Sequence, residues 1–262
     1  MAIWRVLRLG VNDAFTNMAI DEAILSARIA GEVPNTLRFY RWKPSAVSVG
    51  RFQDISNEVY VENCRKHGVD IVRRITGGGA VYHDSDGEIT YSVTVGESDL
   101  GLKDVAAAYD VICKGLIEAT RILGIDADFN PGDPRKCPNI TIAERKISGS
   151  AQARRKQVLL QHGTFLIDTD LEKMFTYLRV PWAETCRDVL PIAEKRLTSV
   201  EKELGERVSV EEAFDALVQG FQRVFESQSR DENLTKYERE LAKKLRRERF
   251  ANETWTLTGK LP

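Results

Sequence analysis

A fold in the α+β or mixed α/β class is predicted by three observations: many short strand-like runs, a few amphipathic helical segments interspersed among them, and enough apolar residues for a large core. The chain has 262 residues, of which 42% are hydrophobic, so it can bury a substantial interior. From Thr169 onward the pattern turns mostly helical. The expected organisation is a main domain over residues 1–225 and a charged helical extension, 226–262, packed on the same domain, with no separate accessory C-terminal domain.

Ile3 to Leu9 alternates as a strand, and Asn12 to Ala30 carries Ala, Ile and Leu at helical spacing, with Asp21 and Glu22 interrupting the apolar face. Thr36 to Tyr40 and Ala46 to Val49 are strand-like runs split by the turn-prone Lys43-Pro44-Ser45. Gly50 to Gln53 reads as a loop before a helical segment ending near Lys66. Val69 to Arg74 and Glu88 to Val95 are strands on either side of a glycine loop. Asp104 to Leu123 is an amphipathic helix, closed by Gly124 because glycine tolerates left-handed backbone angles. Asp126 to Pro138 is rich in Pro, Gly and charge and reads as a loop. Ile140 to Ile142 and Lys146 to Ala151 form a hairpin through Ala143-Glu144-Arg145, and Val158 to Ile167 is a further strand. Leu171 to Leu178 is a short helix. Val210 to Phe225 places Ala213, Leu217, Phe221 and Phe225 on one face, with Ser209 as its cap and Glu211 and Glu212 in its first turn. The charged run KYERELAKKLRRERF is expected to be an exposed helix docked by Leu241 and Leu245. Glu238, Glu240, Lys243 and Lys244 mix the signs along it, unlike a nucleic-acid stripe.

The net charge of −1 argues against nucleic-acid binding by the molecule as a whole. No apolar run is long enough to span a bilayer, and MAIWRVLRL lacks the apolar region and cleavage site of a signal peptide, so the expected location is the cytoplasm, with no membrane partner. Cys64, Cys113, Cys137 and Cys186 have no C-x-x-C spacing, which argues against structural zinc and a disulfide scaffold.

The most distinctive segment is RRITGGGAVYHD, Arg73 to Asp84. Gly77, Gly78 and Gly79 carry no Cβ to hold a ligand off the backbone, and successive N–H groups of such a run can converge on an anion. The segment matches neither a Walker A loop nor the dinucleotide fingerprint. Arg73 and Arg74 are adjacent on a strand, so only one of them faces a pocket; Arg73 is chosen, although alternation does not decide between them. His83 either bridges loop backbone or faces the pocket. In the second cluster, NITIAERKISGSAQ, Lys146 is followed by small residues that leave room for a compact positive charge. His162 interrupts an apolar strand, either as a satisfied internal histidine or as a pocket residue.

RRITGGGAVYHD, RKISGSAQ and QHGT, in that order, resemble the lipoate–protein ligase family, in a superfamily shared with octanoyltransferases and biotin–protein ligases. The resemblance runs from the first strand to about Phe225 and more weakly to Trp255. It implies a biotin–lipoate ligase (class II synthetase-like) catalytic domain with a large mixed, mostly antiparallel sheet and packed helices. It also implies that Arg73 and Gly77 to Gly79 line an acyl-adenylate pocket, that Lys146 contacts the adenylate and the acyl carbonyl, and that His83 and His162 lie nearby. The implied reaction uses ATP and Mg²⁺ to convert lipoate to lipoyl-AMP and passes the acyl group to a lysine of a lipoyl carrier domain, an E2 or glycine-cleavage H-like protein, with a separate accessory ligase subunit. Two features depart from that pattern. Cys137-Pro138-Asn139-Ile140 stands where the ligases carry an Asn-Asp pair, so Asn139 is the one metal-side candidate, and an uncharged amide oxygen is a weak Mg²⁺ ligand. Cys137 also suggests the alternative, an octanoyl or lipoyl transferase acting through a cysteine thioester without ATP.

Overall fold

The computed structural model describes residues 4–101, 104–132, 137–183, 185–225 and 229–261. Ile3, residues 133–136 of the Asp126–Pro138 loop, and 226–228 and Pro262 of the C-terminal extension lie outside the described residues.

The chain opens with β1 (Trp4–Asn12), α1 (Ala14–Ile29) and β2 (Asn35–Trp42), and β1 and β2 pair in parallel with α1 as the crossover. Asp13 starts α1 by accepting the Thr16 amide at 2.7 Å. β3 (Ala46–Val49), α2 (Ile55–Glu58), α3 (Val61–His67), β4 (Asp70–Arg73) and β5 (Val81–His83) follow, and β4-β3-β5 form a small sheet of their own. The glycine loop therefore joins β4 to β5, a strand that the sequence pattern did not separate from the loop.

Next come β6 (Glu88–Gly96), α4 (Val105–Ile122), β7 (Asp128–Asn130), β8 (Asn139–Ile142), β9 (Arg145–Arg155) and β10 (Val158–Leu166). The Asp126–Pro138 segment was expected to be loop throughout, but Asp128–Asn130 pairs antiparallel with Asn139–Thr141. The β8–β9 hairpin turns through Ala143 and Glu144, both at positive φ (46° and 65°), as the two central residues of a tight hairpin turn require. The remaining elements are α5 (Leu171–Tyr177), α6 (Cys186–Arg196), α7 (Val200–Leu204), α8 (Val210–Phe225), β11 (Ser229–Glu232), α9 (Lys236–Leu245) and α10 (Glu253–Thr258). The sequence pattern did not resolve α6, which carries Pro191 inside it, or α7, which spans only five residues.

The large sheet has eight strands in the order β11-β1-β2-β6-β10-β9-β8-β7, parallel at β11-β1-β2 and antiparallel elsewhere, so the mixed, mostly antiparallel α/β fold is the one expected. Alternation along its central strands sorts side chains onto two faces. Leu37 and Phe39, Ile89, Tyr91 and Val93, and Leu159 and Phe165 enter one core with α4 and α8. Here Gly115 and Gly220 let the two helices touch, since a Cβ on Gly220 would meet the Ala119 amide nitrogen at 2.6 Å. The opposite face carries Arg38, Tyr40, Trp42, Thr90 and His162, covered by α1 and the small sheet. That second face holds the site.

The C-terminal segment rejoins the same body. β11 pairs with β1, Leu241 and Leu245 pack into the α1-side core, and Glu238 is fully buried against Arg5. Glu238 also closes a capping box with Thr235 at the start of α9.

Candidate active site

A cavity of about 750 Å³ lies between the α1-side face of the large sheet and the glycine loop, in the size range of small-molecule sites. Its deeper wall is apolar and aromatic, with Met18, Tyr40 and Trp42, and Val105 and Tyr109 of α4 also border it. Gly78, Gly79, Cys137, Asn139, Lys146 and His162 bring the polar groups together.

The two adjacent arginines divide as strand alternation demands, with the choice reversed: Arg74 lines the cavity and Arg73 points away from it. The Arg73 guanidinium is 1% exposed and donates to the carbonyls of Gly50, Arg51, Gln53, Trp255, Thr256 and Leu257, fastening the C-terminal segment under the loop. Arg74 spends all five N–H donors on neutral acceptors: Nε on Thr76 Oγ1 (3.2 Å), one terminal nitrogen on Ser48 carbonyl and hydroxyl oxygens (2.8 Å each), the other on the Gly77 and Gly79 carbonyls (2.9 Å each). Burial pushes its pKa down to about 10, with Tyr40 and Cys137 opposing, so it stays charged at neutral pH. Among the described residues, no carboxylate cancels that charge at contact distance.

Of the three central glycines, only Gly78 has a positive φ, 85°. Gly50 is needed for a different reason, since a Cβ there would overlap the Gly78 carbonyl. The Gly78 Cα faces Cys137: a Cβ on it would lie 3.8 Å from Sγ and 3.5 Å from the Arg74 guanidinium. Cys137 is exposed at the cavity edge, whereas Cys64 and Cys113 are buried and their thiols pushed up to about 12 by burial.

Lys146 reaches back over Gly149, where an added Cβ would meet Nζ at 2.6 Å. Its carbonyl accepts the Thr198 amide at 3.0 Å, which ties the lysine to the segment following α6. Burial lowers its pKa, the charge of a Cys137 thiolate raises it and Arg74 lowers it, so lysine, thiol and arginine share one electrostatic site. Asn139 borders the same region, and its Oδ1 is buried without a hydrogen-bond partner among the described residues.

Both expected site histidines, His83 and His162, are buried and doubly bonded. His162 Nδ1 meets Asp21 at 2.9 Å and Nε2 meets Thr76 Oγ1 at 2.8 Å. His83 Nδ1 meets Glu88 at 2.8 Å and Nε2 meets Ser48 Oγ at 2.7 Å, while its ring stacks on Trp42. Burial pushes Asp21 up, but Arg38 and His162 outweigh it and hold the carboxyl below its usual range. Burial also lowers His162, against the pull of Asp21. Asp21, Ser48, Thr76 and Tyr109 were missed as site residues. For Asp21 the signal was present, a carboxylate inside the apolar face of a helix. Thr76 lies inside RRITGGGAVYHD but was not singled out within it, and Ser48 carries no sequence mark.

These donors do not suit Mg²⁺. No carboxylate is among the described residues lining the cavity, and no group of three or more His, Cys, Asp or Glu suited to a metal occurs among the described residues. Asn139 supplies one uncharged oxygen to an ion that demands a near-octahedral shell.

The mixed sheet, the glycine loop and the lysine hairpin define an acyl-transfer domain, and the chain belongs to the lipoyl protein ligase A/B catalytic domain family, which matches residues 13–222. It is 39% identical to the octanoyltransferase LipM of Kyrpidia tusciae, covering 97% of this chain and 98% of that protein, and 35% identical to the octanoyltransferase LipM of Clostridioides difficile, covering 96% and 97%. Among solved structures it is similar to a lipoate–protein ligase A bound with ATP (31% identity, TM-score 0.83, covering 97% of this chain and 98% of that one). It is also similar to the bipartite lipoate protein ligase of Thermoplasma acidophilum, studied with its E2 lipoyl domain (30% identity, TM-score 0.81, covering 97% and 96%).

These relatives correct the main functional expectation. Curated proteins matching nearly the full chain are octanoyltransferases, so the ATP-dependent lipoate–protein ligase reading does not hold. Lipoylation chemistry is retained as the class, and no helix of the described chain is long and apolar enough to cross a membrane.

Proposed function

We propose that this chain is an octanoyltransferase that carries the acyl group on Cys137 and uses no ATP. The observation that carries this reading is the position of the exposed Cys137 thiol: over Gly78, beside Arg74, and electrostatically coupled to Lys146. The thiolate attacks the carbonyl of an octanoyl thioester on an acyl carrier protein, the carrier thiolate leaves and takes a proton, and octanoyl-Cys137 remains. A neutral lysine amine of a lipoyl carrier domain then attacks the new thioester, forming the amide and returning the Cys137 thiolate, while the amine's surplus proton passes to a base. Lys146, with its lowered pKa, can exchange a proton with the thiol, and as ammonium it balances the negative charge of each tetrahedral intermediate. Met18, Tyr40 and Trp42 offer an apolar wall to the eight-carbon chain. Gly78, Gly79 and Arg74 form the wall opposite, while Gly77, expected to line the pocket, is not among its lining residues; His83 and His162 hold that wall in place.

Incubation with octanoyl acyl carrier protein, without ATP, is expected to add one hydroxylamine-labile octanoyl mass to the Cys137 peptide. Adding an apo lipoyl domain should then move that mass to a lysine of the domain. A Cys137→Ala variant that transfers octanoate at the wild-type rate would refute the assignment.

A further inference from the structure

Two hydrogen-bonded chains of the same kind, carboxylate to histidine to hydroxyl, converge on one guanidinium. Asp21, His162 and Thr76 form the first, ending at Arg74 Nε; Glu88, His83 and Ser48 form the second, ending at a terminal nitrogen of Arg74. They come from separate elements: α1, β10 and the glycine loop supply the first, and β6, β5 and β3 the second. All six residues are buried, at 4% exposure or less.

Counting donors fixes the proton positions. An arginine only donates, so Thr76 Oγ1 and Ser48 Oγ each accept from Arg74. Each hydroxyl proton then has one remaining partner among the described residues, the Nε2 of its histidine. Nε2 must therefore be the bare nitrogen, and the ring proton sits on Nδ1, where Asp21 or Glu88 accepts it. Each carboxylate thus orients a neutral imidazole, each imidazole orients a hydroxyl, and each hydroxyl turns its lone pair to the guanidinium. The remaining arginine donors hold the Gly77 and Gly79 carbonyls, so the orientation of Arg74 is also the orientation of the loop.

We propose that Asp21, His162 and Thr76, with Glu88, His83 and Ser48, are positioning residues that fix Arg74 in a single orientation beside Cys137, and so set the reactivity of that cysteine. The guanidinium keeps its charge facing the thiol because every described group that touches it is neutral, while Asp21 and Glu88 stand two residues away along the chains, Asp21 itself paired with Arg38. What the oriented charge accomplishes in the reaction of Cys137 with a thioester rests on the octanoyltransferase reading; the orientation itself does not.

Two measurements separate these. In uniformly ¹⁵N-labelled full-length protein at neutral pH, the ring nitrogens of His83 and His162 are expected to report neutral imidazoles protonated at Nδ1; a proton on Nε2 of either ring overturns the inference. Peptide-resolved alkylation by iodoacetamide at pH 7 is expected to slow at Cys137 by about tenfold in Thr76→Val, which keeps the shape but removes both hydroxyl contacts, and to recover in Thr76→Ser. Ser48→Ala breaks the second chain independently and should also slow alkylation, which keeps the idea testable if Thr76→Val does not fold. Wild-type alkylation rates in folded Thr76→Val and Ser48→Ala would overturn it. Octanoyl transfer is read in parallel: if wild-type protein moves no octanoate while the tautomers and alkylation rates are as expected, the transferase reading fails and the positioning role stands.

Discussion

Gly149→Ala tests the placement of Lys146 without removing its charge. The added Cβ would lie 2.6 Å from Nζ and 2.8 Å from Cε, where ordinary contact needs roughly 3.5–4.0 Å, so the ammonium has to retreat by about 1 Å. The obstacle is the end of a flexible side chain and Gly149 is not at a positive φ, so the fold should absorb the change for less than about 1 kcal/mol. A displacement of that size at a catalytic group costs on the order of 100-fold in rate. The assay is kcat/KM for octanoyl transfer to an apo lipoyl domain, paired with the thermal midpoint. The loss is expected in kcat, because substrate binding along the apolar wall is untouched. A folded Gly149→Ala enzyme with wild-type kcat would refute the claim that the Lys146 ammonium must occupy this spot. Gly163→Ala is the contrasting change: its Cβ would overlap the Gly149 carbonyl and lie 2.8 Å from the Tyr91 ring, and backbone cannot swing aside. It should lower stability by about 1–3 kcal/mol as well as activity, measured by urea denaturation.

Stability should fall as pH drops below about 6.5, because the unfolded chain protonates its histidines there while burial keeps folded His162 neutral, facing Asp21, Arg74 and His83. Asp21, held low, contributes stability that is fully present above the usual carboxylate range and is lost only below it, so urea midpoints from pH 7.5 to 5.5 isolate the imidazole; a His162→Gln variant with an unchanged slope would contradict this. Gly220→Ala drives a methyl into Ala119 at the α4–α8 crossing and should cost about 1–3 kcal/mol in calorimetry, with an undisturbed chain giving a near-zero change. Arg73→Met removes a donor from six carbonyls and should destabilise by about 2 kcal/mol or more, with residues 253–259 becoming susceptible to proteolysis; a protease-resistant C-terminus would show that the clamp is dispensable.

Much of this site is local and was therefore legible in the chain. Helices α1, α4 and α8 and the strands of the large sheet follow from apolar periods of 3.6 and 2, which any burial geometry must respect. RRITGGGAVYHD, RKISGSAQ and QHGT named the loop, the lysine and the histidine because each motif lies within a dozen residues. Other assignments were beyond that range. The choice between Arg73 and Arg74 depends on which face of β4 meets the cavity and which meets α10, some 180 residues away, so alternation alone left it even. Asp21 is 141 positions from His162, and Thr76 is 86, so their bonds exist only once α1 and β10 are packed together. The family resemblance made Cys137 a candidate nucleophile, but its meeting with Gly78 and Arg74 is made by the β4–β5 loop folding over the β8–β9 hairpin. Residue type and short spacing state which chemistry is available; long-range packing decides which charges stand together, because electrostatic coupling depends on distance in space and on burial, neither of which is written in the order of the chain.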